Sequence, residues 1–137
     1  MRKELEQKLI ERWPTWFNTQ GDARYTLMSW GFAHDDGWFD ILRRLFEDLE
    51  PLVAELEKQT GRPFEVLQVR EKFGELRVHV NDKNEAIRQR VGIAQEEACR
   101  TCEVCGQPGR LREGGWIKTL CDKHAASAKW SKRKWLS

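Results

Sequence analysis

The chain has 137 residues, of which 34% are charged and 39% are hydrophobic, and this suits one compact domain with a small appendage. No apolar run approaches the roughly 18 residues that a membrane-spanning helix needs, and the charged start MRKELEQKLIERW lacks the apolar core of a secretion signal. The composition argues against a membrane or secreted protein, and we expect a soluble, cytoplasmic one.

The formal net charge of +2 hides an uneven distribution. Residues 1–98 carry 15 Lys/Arg and 19 Asp/Glu (net −4), whereas residues 99–137 carry 9 and 3 (net +6). Such asymmetry indicates that the C-terminal part meets an anionic partner, or that the two parts attract each other. We predict an acidic α+β body over residues 1–98, a Cys-rich unit over 99–126 and a basic, Trp-containing tail over 127–137.

The first half of the chain predicts two helices. The first runs from Arg2 to about Trp13, with Leu5, Leu9 and Trp13 on one face. YTLMSWGF (Tyr25–Phe32) then reads as an irregular strand or extended loop. The second begins after Asp35 or Asp36, either of which can cap its first turn, and ends at Gly61. Pro51 lacks a backbone donor, so we expect a bend or a break near Glu50. The apolar residues of this second helix recur every three or four positions, at Trp38, Leu42, Leu45, Leu49, Leu52 and Leu56.

A β-hairpin and a third helix follow. Phe64–Arg70 and Leu76–Val80 are the predicted strands, joined by the loop Glu71–Glu75, in which Gly74 supplies a positive φ. A helix from Glu85 to about Cys99 comes next, with Ile87, Val91, Ala94 and Ala98 on one face. The predicted fold class is therefore α+β, with helices and a β-hairpin ahead of a C-terminal Cys-rich unit and a basic tail.

The Cys-rich unit has the spacing of a metal site. Cys102-x2-Cys105 is followed, after 15 residues, by Cys121-x2-His124. Gly106 directly follows the second cysteine, where a glycine eases the tight turn around the metal. Two-residue spacing lets both ligands of a pair reach one metal, and three thiolates with one imidazole form the closed tetrahedral site of structural zinc. We therefore predict one structural zinc ion in a zinc-ribbon-like unit. Cys99 is expected to end the third helix as a small buried residue, although a Cys99/Cys102 ligand pair is an alternative.

Three segments together resemble a known family. GWFDILRRLFEDLEPLV, QVREKFGELRVHV and ACRTCEVCGQPGRL…GGWIKTLCDKHA are similar to a family of small uncharacterised bacterial and phage-encoded proteins with a C-terminal CxxC…CxxH segment. The resemblance covers most of residues 36–125. It implies the zinc ligands and a bacterial or phage origin, and it supplies no catalytic residue to carry over.

The basic tail predicts contact with nucleic acid. Cations interleaved with tryptophans can hold a phosphate backbone and stack on exposed bases, and arginines and a lysine of the Cys-rich unit can extend that surface. The alternatives are that the tail docks on the acidic body or on a partner protein, or that it is unstructured. The candidate nucleic-acid-binding residues are Arg110, Arg112, Lys118, Lys129, Trp130, Lys132, Arg133, Lys134 and Trp135.

These observations predict a non-enzymatic zinc protein that contacts DNA, RNA or a nucleic-acid-processing complex through the Cys-rich unit and the tail. A phage-encoded inhibitor or adaptor that binds a host protein through the acidic body is the second hypothesis. An enzyme ranks third, because no phosphate-binding loop, nucleophile motif or metal-activated water motif is present in the sequence.

Overall fold

The computed structural model describes residues 1–17, 36–113 and 117–126. The predicted strand Tyr25–Phe32 and the predicted tail 127–137 lie outside this part of the chain. The described elements combine helices with two small antiparallel sheets, which confirms the α+β class. In chain order they are α1 (Lys3–Arg12), a 3-10 helix (Asp36–Trp38), α2 (Phe39–Thr60), β1 (Val66–Lys72), β2 (Glu75–Val80), α3 (Glu85–Ala98), β3 (Arg110–Arg112) and β4 (Lys118–Leu120). Among the helices of the described residues, none has both the length and the apolar character needed to cross a membrane.

Helix α2 lies at the centre of the main core. Its predicted stripe is buried except at Leu52, which is half-buried, and Leu42, Leu45 and Leu49 are fully inaccessible to solvent. Trp13 is the C-cap of α1, and Trp16 lies in the turn after it. Their rings stack with centroids 5.8 Å apart, and both meet Phe46 edge-on. This aromatic packing joins α1 to α2 and confirms the predicted core-facing role of both helices.

The N-terminal end and the middle of α2 differ from the sequence prediction. The helix begins at Phe39, and no side chain caps it. Asp36 instead accepts from the Arg2 backbone N–H at 2.8 Å and pairs with the Arg2 guanidinium at 2.7 Å. Pro51 lies inside one continuous 22-residue helix, so the expected break near Glu50 is wrong. The C-terminal end is confirmed, since Gly61 caps it with a φ of 69°.

The hairpin is tighter than predicted. β1 and β2 extend to Lys72 and Glu75, which pair with each other, so only two residues form the turn. Both have positive φ, 53° at Phe73 and 80° at Gly74, the pattern of a type I′ turn. Gly74 therefore has the predicted role, but the five-residue loop is wrong.

Helix α3 closes the core against β2 and α2. Asn84 caps it by accepting from the Ile87 backbone N–H at 2.9 Å. As predicted, Ile87, Ala94 and Ala98 are buried. The Gln95 side chain accepts from the Val78 backbone N–H at 3.3 Å, so α3 also satisfies a donor of β2. The end of α3 delivers the chain directly into the Cys-rich unit.

Candidate metal centre

The first ligand pair lies on a tight turn directly after α3. The turn is closed by two backbone hydrogen bonds, from the Cys102 N–H to the Gln107 carbonyl at 2.8 Å and from the Gly106 N–H to the Cys102 carbonyl at 2.9 Å. Gly106 has a φ of 80°, a conformation that side chains other than glycine disfavour. The glycine that follows Cys105 in the sequence thus has the predicted structural role, and it lets both sulfurs point to one side.

The second ligand pair comes back beside the first through β3 and β4. These strands pair antiparallel, with Arg110 opposite Leu120, and the Glu103 backbone N–H donates to the Thr119 carbonyl at 3.0 Å. Residues 122–126 are helical, and the Ala125 N–H donates to the Cys121 carbonyl at 2.9 Å. Cys121 and His124 therefore span the first turn of a helix, whereas the first pair lies on a loop turn.

The four predicted ligands converge on one point. Their candidate donor atoms all lie within 4.8 Å of one another. The His124 Nδ1 is 3.6 Å from the Cys102 sulfur and 3.2 Å from the Cys121 sulfur, and the Cys105 and Cys121 sulfurs are 3.7 Å apart. This Cys3His cluster can hold one metal ion.

Hydrogen bonds and crowding shift the pKa values of Cys121 and Cys105 in opposite directions. The His124 backbone N–H has the largest effect on Cys121; it and the His124 ring outweigh burial and lower the pKa of that thiol to about 6. For Cys105, the Gln107 backbone N–H lowers the pKa, but burial and the two neighbouring sulfurs raise it, so the net pKa is higher than usual. Three thiolates this close repel one another, and a bound cation would remove that repulsion.

The cluster rests on the body of the protein at Gly37. The Gly37 N–H donates to the Glu103 carbonyl at 2.8 Å, and the indole N–H of Trp38 donates to the Thr101 carbonyl at 3.0 Å. A Cβ atom at Gly37 would lie 2.1 Å from the Cys102 carbonyl oxygen. The 3-10 helix ahead of α2 thus packs directly on the backbone of the first ligand pair.

A second contact joins β4 to the tip of the β1–β2 hairpin. The Thr119 hydroxyl donates to the Gly74 carbonyl at 2.6 Å and is fully buried. A Cβ at Gly74 would lie 2.6 Å from a methyl carbon of Leu111. Residues 99–113 and 117–126, which we call the Cys/His segment, are therefore held to the body at two places.

Glu103, which sequence reasoning missed, is a buried charged residue between the first two ligands. It is 1% exposed, and it accepts from the Lys118 ammonium at 2.8 Å and from the Thr119 N–H at 3.2 Å. Burial raises the pKa of Glu103, and the Lys118 hydrogen bond partly offsets that rise. A single glutamate within a Cys-x2-Cys pair gives no sequence signal of burial, because its partners, Lys118 and Thr119, lie 15 and 16 positions further along the chain.

The described members of the predicted nucleic-acid surface have different surroundings. Arg110 is exposed. Arg112 pairs with Asp122 at 2.8 Å and donates to the Leu120 carbonyl at 3.2 Å, while Lys118 is held by Glu103. Their contact with nucleic acid stays a prediction. The six tail residues, Lys129, Trp130, Lys132, Arg133, Lys134 and Trp135, lie outside the described residues.

Cys99 is not part of the cluster. It forms the C-terminal cap of α3, as predicted, but its side chain is exposed rather than buried. The Cys99/Cys102 ligand pair is therefore disfavoured by the geometry.

Comparisons of the chain with protein-family models, with curated proteins and with solved structures found no match. The family resemblance described above stays a prediction, and the function has to be argued from the site.

Proposed function

We propose that the Cys3His cluster binds one structural zinc ion. The observation that carries this proposal is the set of distances between the donor atoms. Zn–S bonds of about 2.3 Å and a Zn–N bond of about 2.0 Å give tetrahedral edges of about 3.8 Å between sulfurs and about 3.5 Å between sulfur and nitrogen. The Cys105–Cys121 and Cys102–His124 separations, 3.7 and 3.6 Å, lie close to these values, and the 3.2 Å between Cys121 and His124 has to open only slightly.

The role of the zinc is structural in this proposal. Four protein ligands fill the tetrahedron, whereas a catalytic zinc keeps a position for water or substrate. The Cys/His segment has a small core of its own, in which Cys102, Leu120 and Ala125 are the buried members. Metal binding therefore supplies folding free energy that this core lacks. The two paired strands β3 and β4, which lie between the ligand pairs in the chain, support a zinc-ribbon-like organisation. The turns that hold the ligands differ, since Cys102 and Cys105 lie on a loop turn and Cys121 and His124 on a helical one.

Beyond the metal, we propose a non-enzymatic protein that contacts nucleic acid or a nucleic-acid-processing complex through the Cys/His segment and the tail. The supporting observation is the net charge of +6 over residues 99–137. Arg110 offers an exposed cation on β3. The competing proposal, an inhibitor or adaptor that binds a host protein, uses the net charge of −4 on residues 1–98.

Salt-dependent binding of a labelled oligonucleotide tests this proposal. We expect the logarithm of affinity to fall with the logarithm of salt concentration, with a slope of about −0.7 for each phosphate contact on a single strand. Replacing the four tail cations by Gln should flatten the slope by roughly 2–3 units and leave the zinc content unchanged. These cations are Lys129, Lys132, Arg133 and Lys134.

The matched control removes the same charge from the body. Its four substitutions to Gln are at Lys3, Lys8, Lys58 and Arg88. Loss of affinity in both quadruple variants would indicate a non-specific charge effect. Absence of any DNA or RNA binding at about 50 mM salt, where phosphate contacts are strong, would refute the nucleic-acid proposal. A stoichiometric complex with a host protein would then support the adaptor.

A further inference from the structure

The β1–β2 hairpin has one face that packs on the core and one that points away from it. Leu76 and Val78 are buried on the inner face. Side chains of alternate residues point to opposite faces of a strand, so the intervening Arg77 and His79 lie on the outer face. The register adds Arg70 opposite Arg77 and Lys72 opposite Glu75. Of the charged side chains paired on this face, only Glu75 is negative.

The pairing of Arg70 with Arg77 is unfavourable for the hairpin itself. Like charges directly opposite each other on antiparallel strands destabilise the pair. Arg77 is compensated by Glu75 at 2.5 Å, but Arg70 forms no ion pair within the described part of the chain. The Nε atoms of both arginines are shielded from solvent and have no hydrogen-bond partner there. The hairpin thus carries an arrangement of charge that folding alone does not favour.

The pKa of His79 is lowered in part by the same positive charges. Burial is the largest cause of its lowered pKa, and nearby cations lower it further. The cations that act on His79 are, in decreasing order, Arg70, Lys83, Arg77 and Lys72. An anion bound on this face would offset their repulsion.

Phe73 extends the outer face at the tip of the hairpin. Its side chain is 65% exposed, and its φ is 53°, although Asn and Gly are the residues favoured at such turn positions. The Lys72 ammonium lies 6.0 Å from the centre of the ring. Because Gly74 is held by the Thr119 hydroxyl, the turn that presents Phe73 is anchored. Neither turn preference nor core packing explains an exposed aromatic ring here.

We propose that the outer face of the β1–β2 hairpin binds single-stranded nucleic acid, with phosphates on Arg70, Arg77 and Lys72 and a base stacked on Phe73. An anchored aromatic ring beside a line of cations is the arrangement by which proteins bind single strands without sequence preference. In a duplex, by contrast, the base faces are already stacked. The inference rests on the proposed nucleic-acid function and adds to it a site on the hairpin, formed by residues other than those proposed in the Cys/His segment and the tail.

Two substitutions separate binding from stability at this site. Arg70→Gln removes a cation that has no ion pair within the described residues and lies opposite Arg77, so we expect an unfolding midpoint equal to or above that of the wild type. Phe73→Asn introduces a residue that suits positive φ, so it should not lower the midpoint either. Both variants should nevertheless bind a fluorescent oligothymidine more weakly.

The expected changes in binding are specific to each variant. Arg70→Gln should reduce the magnitude of the salt slope by about 0.7, the value of one phosphate contact. Phe73→Asn should weaken binding by about 5- to 150-fold, the range that corresponds to loss of one base stack. Oligothymidine should also raise the pKa of His79, measured by NMR. The control is Arg88→Gln on α3, which removes an arginine paired with Glu85 and should leave affinity unchanged.

The outcomes distinguish this inference from the proposal on which it rests. Wild-type affinity in Arg70→Gln and Phe73→Asn, with loss in the tail variant, would overturn the hairpin site and leave the tail proposal standing. The reverse pattern would support the hairpin and refute the tail. If Arg70→Gln lowers the affinity for oligothymidine and Phe73→Asn does not, the proposed base stacking is overturned. Phosphate contacts alone would then account for binding, as they would for any polyanion. If the wild type binds no oligonucleotide, both proposals fail.

Discussion

The contact between Gly37 and the first ligand pair gives a sharp test of how the Cys/His segment is held. Alanine at position 37 would place its Cβ 2.1 Å from the Cys102 carbonyl oxygen and 2.6 Å from the Glu103 carbonyl carbon. Carbon and oxygen normally approach no closer than about 3.3 Å. These neighbours are backbone atoms, which cannot rotate aside as a flexible side chain does. The Gly37→Ala variant must therefore strain this contact or separate the segment from the body.

The cost can be worked out for both responses. Overpacking strain is typically about 1–3 kcal/mol. Separation would break the hydrogen bonds from the Gly37 N–H and the Trp38 indole N–H, at about 0.5–1.5 kcal/mol each. Since the protein adopts the less costly response or a mixture of the two, we expect Gly37→Ala to lower the free energy of unfolding by about 1–3 kcal/mol.

The assay is urea unfolding of the zinc-loaded protein, with Gly92→Ala as the matched control. Gly92 lies inside α3, and a Cβ there would meet nothing within 4 Å. The same substitution should therefore raise stability there by about 0.5–1 kcal/mol, through helix propensity. Both variants should keep one zinc per chain, because the turn that holds the first ligand pair is closed within the segment. If Gly37→Ala were as stable as Gly92→Ala, the described docking of the segment on the body would be refuted.

Three further outcomes follow from the described contacts. Leu45→Ala should cost about 2–5 kcal/mol in denaturant unfolding because it leaves a cavity in the core, and a cost below about 0.5 kcal/mol, the size of a surface effect, would contradict the role of α2. Cys99→Ala should keep the full metal content by elemental analysis, since Cys99 lies outside the cluster, whereas loss of metal would mean that the ligand set is wrong. The folded pKa of His79 lies below its ordinary value of 6.5, so the unfolded state binds more protons and stability falls as pH drops below that value. His79→Gln should reduce this fall, and an unchanged pH profile would contradict the lowered pKa of His79.

The parts of the structure that could be predicted depend on local sequence. The helical faces of α1 and α3 follow from apolar spacing, and their burial matches it because each helix presents one face to the core. The four ligands could also be predicted, because two-residue spacing constrains each pair regardless of the rest of the chain. Gly61, Gly74 and Gly106 mark positive φ at the places where the sequence predicted turns.

The errors occurred where packing outweighed a local rule. Pro51 costs a helix about 3 kcal/mol, yet Leu49 and Val53 are buried on either side of it and hold α2 continuous through tertiary contacts. Asp36 has the chemistry of a helix cap, but Arg2, 34 positions away, takes its carboxylate. Sequence spacing carries no information about such distant partners.

The contacts around the metal centre were hidden for the same reason. Gly37 and Glu103 are 66 positions apart, and no local motif predicts the hydrogen bond between their backbones. Lys118 was predicted to face nucleic acid from its charge alone, whereas the structure gives it the buried Glu103 as a partner. An unusual residue for its position, such as Phe73 on a tight turn, becomes informative only after its φ and exposure are known.

The most direct test of the central claim is X-ray absorption at the zinc edge, with elemental analysis of the same purified sample. We expect one zinc per chain, bound by three sulfurs at about 2.3 Å and one nitrogen at about 2.0 Å. The Cys105→Ser variant should lose one sulfur from this shell or lose the metal. A fully folded wild type without metal, or a shell with two sulfurs or four, would contradict the assignment of Cys102, Cys105, Cys121 and His124.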